Sequence, residues 1–184
     1  MKNSTTGPVG GFKNKEAGMT LVELGFGLVI LALVAAFVGP IGYKYLKNTE
    51  GDSAAKTTES YFTDLAGKLT RPPFTALDND FAIDAKIPHE SSVSGSTIFN
   101  YWGNSTVFAS GTLTGGATNG AKQITDPVDP FACLRYVTYV SNFLDEVIVG
   151  STTVKAPGAA LDPAAAASAC DVSTASVNVI MRKS

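Results

Sequence analysis

Histidine, cysteine, tryptophan and charge are all scarce in this 184-residue chain: one His, two Cys, one Trp, and 16% Asp, Glu, Lys and Arg together. A lone His89 supplies no credible metal-ligand set, and the spacing of Cys133 and Cys170 fits no zinc site. Phosphate loops, Gly-x-Ser-x-Gly elbows, HExxH helices and Cys-x-x-Cys pairs do not occur. The usual catalytic constellations are therefore absent, and the sequence points to no enzyme, no metal and no cofactor. Acidic neighbours such as Asp145 and Glu146 read as a solvated strand edge rather than an acid–base dyad. Fourteen Lys and Arg against 16 Asp and Glu argue against a basic nucleic-acid binder. Global disorder is excluded from the other side, because 45% of the residues are hydrophobic and can be buried.

The low charge is not evenly spread. Leu24 to Tyr43 is a run of twenty residues without a charge, LGFGLVILALVAAFVGPIGY. As a helix it would be about 30 Å long, the thickness of a bilayer hydrocarbon core. Residues 1–18 before it are polar, with Lys2, Lys13, Lys15 and Glu16, and have no apolar stretch of their own. A secretory signal would be cut after its apolar stretch, but here the run continues through Val34, Ala35 and Ala36. Lys13 and Lys15 place residues 1–18 in the cytoplasm and send the chain beyond Tyr43 outward. Glu23 stands at the border of the run, where a carboxylate costs several kcal/mol unless protonated, paired or interfacial.

Gly18-Met19-Thr20-Leu21-Val22-Glu23, between that polar leader and that apolar helix, resembles the class III signal of type IV prepilins. The family pattern is Gly before the cut, a hydrophobic residue after it, and Glu at the fifth position of the mature chain. The resemblance implies cleavage between Gly18 and Met19 by a membrane-embedded prepilin peptidase, then N-methylation of Met19. It implies an assembly charge pair as well, the new α-amino group of Met19 in one subunit against Glu23 of a neighbour. A buried charge used in this way fixes register. Gly25, Gly27 and Gly39-Pro40 are poor helix formers, and Pro40 is expected to kink or open the helix.

Beyond Tyr43 the helix is expected to continue as a spine to about Leu69. Its stripe is Leu46, Ala54, Ala55, Thr58, Phe62, Leu65 and Leu69, with Gly51 as an interruption and Arg71-Pro72-Pro73 as the stop. Residues 72–96 read as a long connection, in which Asp78, Asp80 and Asp84 lack the glycine and terminal Glu of a calcium loop. Strands are expected at Thr97–Tyr101, Thr106–Ser110 and Lys122–Thr125, with a turn at Trp102–Ser105 and Trp102 as a core anchor. Asp129 caps a second helix running to about Asn142, with Phe131, Leu134, Val137, Val140 and Leu144 as its buried stripe. A hairpin at Glu146–Val149 and Thr152–Lys155, a short helix after Asp162-Pro163, and a last strand at Ser176–Arg182 complete the chain.

This half resembles type IVb pilins, most closely those of conjugative thin pili and enteric adhesive pili, through WGNSTVFAS, a Cys early in a helix after Pro, and a second Cys before the last strand. The implied fold is α+β, a long N-terminal helix packed on an antiparallel sheet, with a C-terminal region closed by a Cys133–Cys170 disulfide. The implied organisation is a leader at 1–18, a membrane and filament-core helix at 19–43, its continuation at 44–70, and a globular domain at 71–184. Expected partners are the prepilin peptidase, further copies in a homopolymeric filament, the inner-membrane assembly platform, and the membrane before assembly. The expected location is the inner membrane with a periplasmic domain, then an extracellular pilus serving adhesion or conjugation. The rival readings are a pseudopilin of a type II secretion-like system and a minor or tip pilin binding a receptor or DNA. Without residues 1–18 the chain holds 11 Lys and Arg against 15 Asp and Glu, which disfavours a strong DNA grip.

Overall fold

The computed structural model describes residues 21–68, 74, 76–114, 120–171 and 175–182. The chain divides into two compact units, residues 1–41 and 42–184. Helix α1 runs from Leu21 to Lys68, 48 residues, and stays helical through Pro40. Among its residues up to Ile41 none is buried.

The second unit is a sheet with helices packed on it. Among the described residues the strands are β1 (Val93–Ser94), β2 (Thr97–Phe99), β3 (Ser105–Gly111), β4 (Gly120–Val128), β5 (Glu146–Val149), β6 (Thr152–Lys155) and β7 (Ala175–Arg182). They form one sheet of order β1-β2-β3-β4-β7-β5-β6, and every neighbouring pair is antiparallel. The last strand is thus central, pairing on one side with β4 from Gly120↔Arg182 and on the other with β5 from Glu146↔Ile180. Val177 and Val179 are buried, as a strand covered by neighbours on both edges and by helices requires.

Among the described residues three α-helices join the spine: α2 (Asn79–Asp84), α3 (Pro130–Val140) and α4 (Pro163–Cys170). Each begins at an aspartate. Asp78 accepts from the Phe81 N–H at 2.8 Å, Asp129 from Phe131 at 2.9 Å, and Asp162 from Ala164 and Ala165 at 2.9 and 3.0 Å. Pro130 and Pro163 then occupy first-turn positions where no N–H is needed. At its far end Lys155 of β6 donates to the carbonyl of Ser141, the residue that caps α3, and to that of Leu144 in the following loop, the latter at 2.6 Å.

The later part of α1 buries Gly51, Ala54, Ala55, Thr58, Tyr61, Phe62 and Leu65. Of these, Ala54, Ala55, Tyr61, Phe62 and Leu65 pack with Phe108, Tyr136, Val137, Val140 and Val177 into one core, and Tyr61 meets Phe108 edge-on at 5.8 Å between centroids.

Several local expectations need correction. Residues 72–96 are not a plain connection: they hold α2, a 3-10 turn at Glu90–Ser92 and β1. Asp78 there works as a helix cap, and Asn79 ties α2 to β3 by donating to the Thr106 carbonyl and accepting from the Phe108 N–H. Strand β4 is longer than Lys122–Thr125 and absorbs Asp126-Pro127 through a register shift between Thr125 and Val128. Helix α3 stops at Val140, two residues early. Gly51 does not interrupt α1; it lets another helix approach.

Candidate functional site

Two features stand out, an apolar helix in which none of the described residues up to Ile41 is buried, and a pair of helices joined by a disulfide. In the first, Leu24, Phe26, Leu28, Val29, Ile30 and Leu31 are each more than half exposed. Their helix is long and apolar enough to cross a membrane, and its most apolar stretch has no buried residue. A soluble domain with this much bare apolar surface would self-associate, so the helix needs lipid or other copies around it. Glu23 lies in the first turn of α1, where a carboxylate faces the positive end of the helix dipole. Gly18 and Met19 fall outside the described residues.

In the second, Cys133 near the start of α3 is bonded to Cys170 at the end of α4, with 5.6 Å between Cα atoms and a separation of 37 residues. Both are buried. Closing a loop of that size restricts the unfolded chain by about 4 kcal/mol in the entropic account.

Helix α3 is also fastened along α1 by a ladder of polar contacts. The Lys47 ammonium bridges Glu50 at 2.8 Å and Asp129 at 2.9 Å. Those two hydrogen bonds, Glu50 first, hold its pKa well above the usual lysine range. Arg135 makes a forked pair with Asp52 at 2.7 and 3.1 Å, which raises its pKa further. The Thr58 and Tyr136 hydroxyls share a buried hydrogen bond of 2.9 Å, and Tyr139 donates to Glu59 at 3.0 Å. Burial pushes the Tyr136 phenol up, against the lowering effect of its hydroxyl partners. The bond to Glu59 does the same for Tyr139. Between these rungs Gly51 faces α3 directly.

Of the stripe expected on α3, Val137, Val140 and Leu144 are buried, and Phe131 and Leu134 are not. Ala132, Cys133, Tyr136, Val137 and Val140 are its buried positions, whereas Phe131 is 62% and Leu134 42% exposed. Small Ala and Cys take the inward places because α1 and α4 come close there. Trp102, expected as a core anchor, is partly buried and meets Tyr136 edge-on at 5.8 Å.

Glu146 is not the solvated strand edge that its sequence neighbours suggest. It is fully buried and accepts hydrogen bonds from the N–H and the hydroxyl of Thr114, the former at 3.0 Å. Its alternation with Val147 on β5 hid this, since a charged strand end usually faces water. The α1–α3 seam did leave a signal: Gly51, Ala54, Ala55 and Thr58 put small residues at i, i+3, i+4 and i+7, which permits close helix packing.

Comparison with known proteins agrees with this architecture. The family described as PilS N terminal matches residues 62–182. A type IV b pilin from Salmonella typhi superposes with a TM-score of 0.60 at 20% identity, covering 72% of this chain and 99% of that one. TcpA, a type IV pilin from the Vibrio cholerae El Tor biotype, superposes at 0.51 with 12% identity, covering 74% and 99%. Comparison with curated proteins gives no match. Spine helix, antiparallel sheet and Cys133–Cys170 bond are those of a type IV pilin. The chain belongs to the PilS family and is a pilin subunit of a type IV pilus.

Proposed function

We propose that the chain is made as a prepilin and held in the inner membrane by residues 24–43, with its globular domain in the periplasm. The prepilin peptidase cuts between Gly18 and Met19 on the cytoplasmic side and methylates the new terminus. An assembly platform then moves the helix from lipid into a filament core without exposing it to water. Because cleavage precedes the apolar run, the product keeps its anchor, and the same surface serves two apolar environments in turn.

The observation that carries this reading is the uncovered apolar helix at the head of a folded, disulfide-closed domain. Among the described residues up to Ile41 none is buried, which supports a partner supplied by lipid or by other copies. In the filament the Met19 α-amino group of one subunit neutralises Glu23 of the next, which sets the register of the stack. The extracellular fibre serves adhesion or conjugative contact. Glu23→Ala tests the register: the variant is expected to be processed normally and to assemble poorly beside wild type, seen by electron microscopy of the cell surface. Normal piliation by Glu23→Ala would defeat the charge pairing.

A further inference from the structure

The turn between β2 and β3 is built on Asn100. Its Oδ1 accepts from the N–H groups of Trp102 and Asn104, both at 2.9 Å, and Gly103 completes the turn with a φ of 77°. That use of the oxygen fixes which way the amide points, and it leaves Asn100 Nδ2 buried without a hydrogen-bond partner. Trp102 Nε1 and Gln123 Oε1 are in the same condition. Gln123, on β4, is 2% exposed, and its Nε2 donates to the Thr125 hydroxyl at 3.3 Å. Turning that amide over would leave its nitrogen unpaired in place of its oxygen. Buried polar atoms in this state are costly, and each calls for a partner.

All three residues line one small cavity, whose wall also includes Thr58 of α1, Thr125 of β4 and Tyr136 of α3. Its volume is about 10 Å³, roughly the one probe sphere that a single water needs, so any organic ligand is too large. Two N–H donors at the site exclude a metal cation. Polar walls separate this cavity from the apolar kind that stays dry. The count of donors and acceptors closes on one water. Its oxygen accepts from Asn100 and Trp102, one O–H donates to Gln123 Oε1, and the other donates to a hydroxyl oxygen of the wall. The Thr58 and Tyr136 hydroxyls share one hydrogen bond of 2.9 Å, which leaves lone pairs to accept it.

We propose that this cavity is a binding site for one ordered water, which joins the sheet at Gln123 to the turn that carries Trp102. Trp102 then has two holds, the edge-on ring contact with Tyr136 at 5.8 Å and the bond from its indole N–H to the water. The site lies within the globular unit, so it stands whatever the route of processing and assembly.

Trp102 is the one tryptophan of the chain, so its indole N–H gives a single NMR signal. Labelled full-length protein in detergent is expected to show NOE and ROE cross-peaks of opposite sign between that signal and water, the mark of a water held in place. The cross-peaks should persist in Thr58→Val with Tyr136→Phe, which removes both partners of one hydrogen bond and with them two hydroxyls that could relay exchange. No cross-peaks in wild type, or their loss in that double variant with its circular dichroism unchanged, would overturn the proposal. A crystal structure of the full chain that orders water gives an independent measurement. One density peak is expected at about 2.7–3.2 Å from Trp102 Nε1, Asn100 Nδ2 and Gln123 Oε1. A cavity without density, or those three atoms paired with protein groups, would overturn it as well.

Discussion

Gly51 of α1 faces the backbone carbonyl of Ala132 in α3 so closely that a Cβ on Gly51 would lie 2.7 Å from that oxygen. Arg135 Cβ would be 3.1 Å away and the Tyr136 nitrogen 3.3 Å. The helices meet here with no room for a methyl group.

Gly51→Ala therefore destabilises the domain. On propensity alone the change favours the helix by about 1 kcal/mol. Overpacking against a backbone atom costs about 1–3 kcal/mol, because the carbonyl cannot rotate away as a side chain would. A lower melting temperature for the full chain in detergent is the expected result. A raised one would mean that the seam has slack.

Tyr136 sets an alkaline limit. Its pKa, like those of Lys47 and Tyr139, is raised in the folded protein. Above about pH 10 the unfolded chain releases protons that the folded chain still holds. The unfolded state then binds fewer protons, so stability falls as pH rises. Tyr136→Phe loses the bond to Thr58 and about 1 kcal/mol near neutral pH. It also removes one ionising phenol, so its stability should fall less steeply between pH 9 and 11 than that of wild type. Parallel slopes in melting experiments would contradict this.

Much of this arrangement was legible from residue types. The apolar run, the spine stripe from Ala54 to Leu65, the Asp129-Pro130 helix start and the paired cysteines are local patterns with local causes. Asp129-Pro130 and Asp162-Pro163 begin helices, whereas Asp126-Pro127 lies inside β4, so the pair alone does not state a helix origin. The exposure of Phe131 and Leu134 was not legible, because they share helical spacing with Val137 and Val140, which are buried. Periodicity identifies an apolar face without naming what covers it. Residues 72–96 were misread for a related reason. Six residues of α2 and two of β1 are too short to show a period; α2 is held by Asn79 reaching β3, and β1 by pairing with β2.

Glu146 was missed because its partner, Thr114, lies 32 positions away in sequence. A buried carboxylate tied to one loop residue makes a further prediction. Glu146→Ala strands the Thr114 N–H and should cost about 1–3 kcal/mol. Glu146→Gln keeps an accepting oxygen and should cost less. Equal losses in chemical denaturation would show that the side chain matters for its volume rather than its hydrogen bonds.

The central claim is that one apolar helix serves first as anchor and then as filament core, which requires the cut to fall ahead of it. Mass spectrometry of filaments sheared from cells measures this directly. The expected mature chain begins at methylated Met19 and carries the Cys133–Cys170 bond. A filament chain that retains residues 1–18, or one cut after Ala35 or Ala36, would contradict the account.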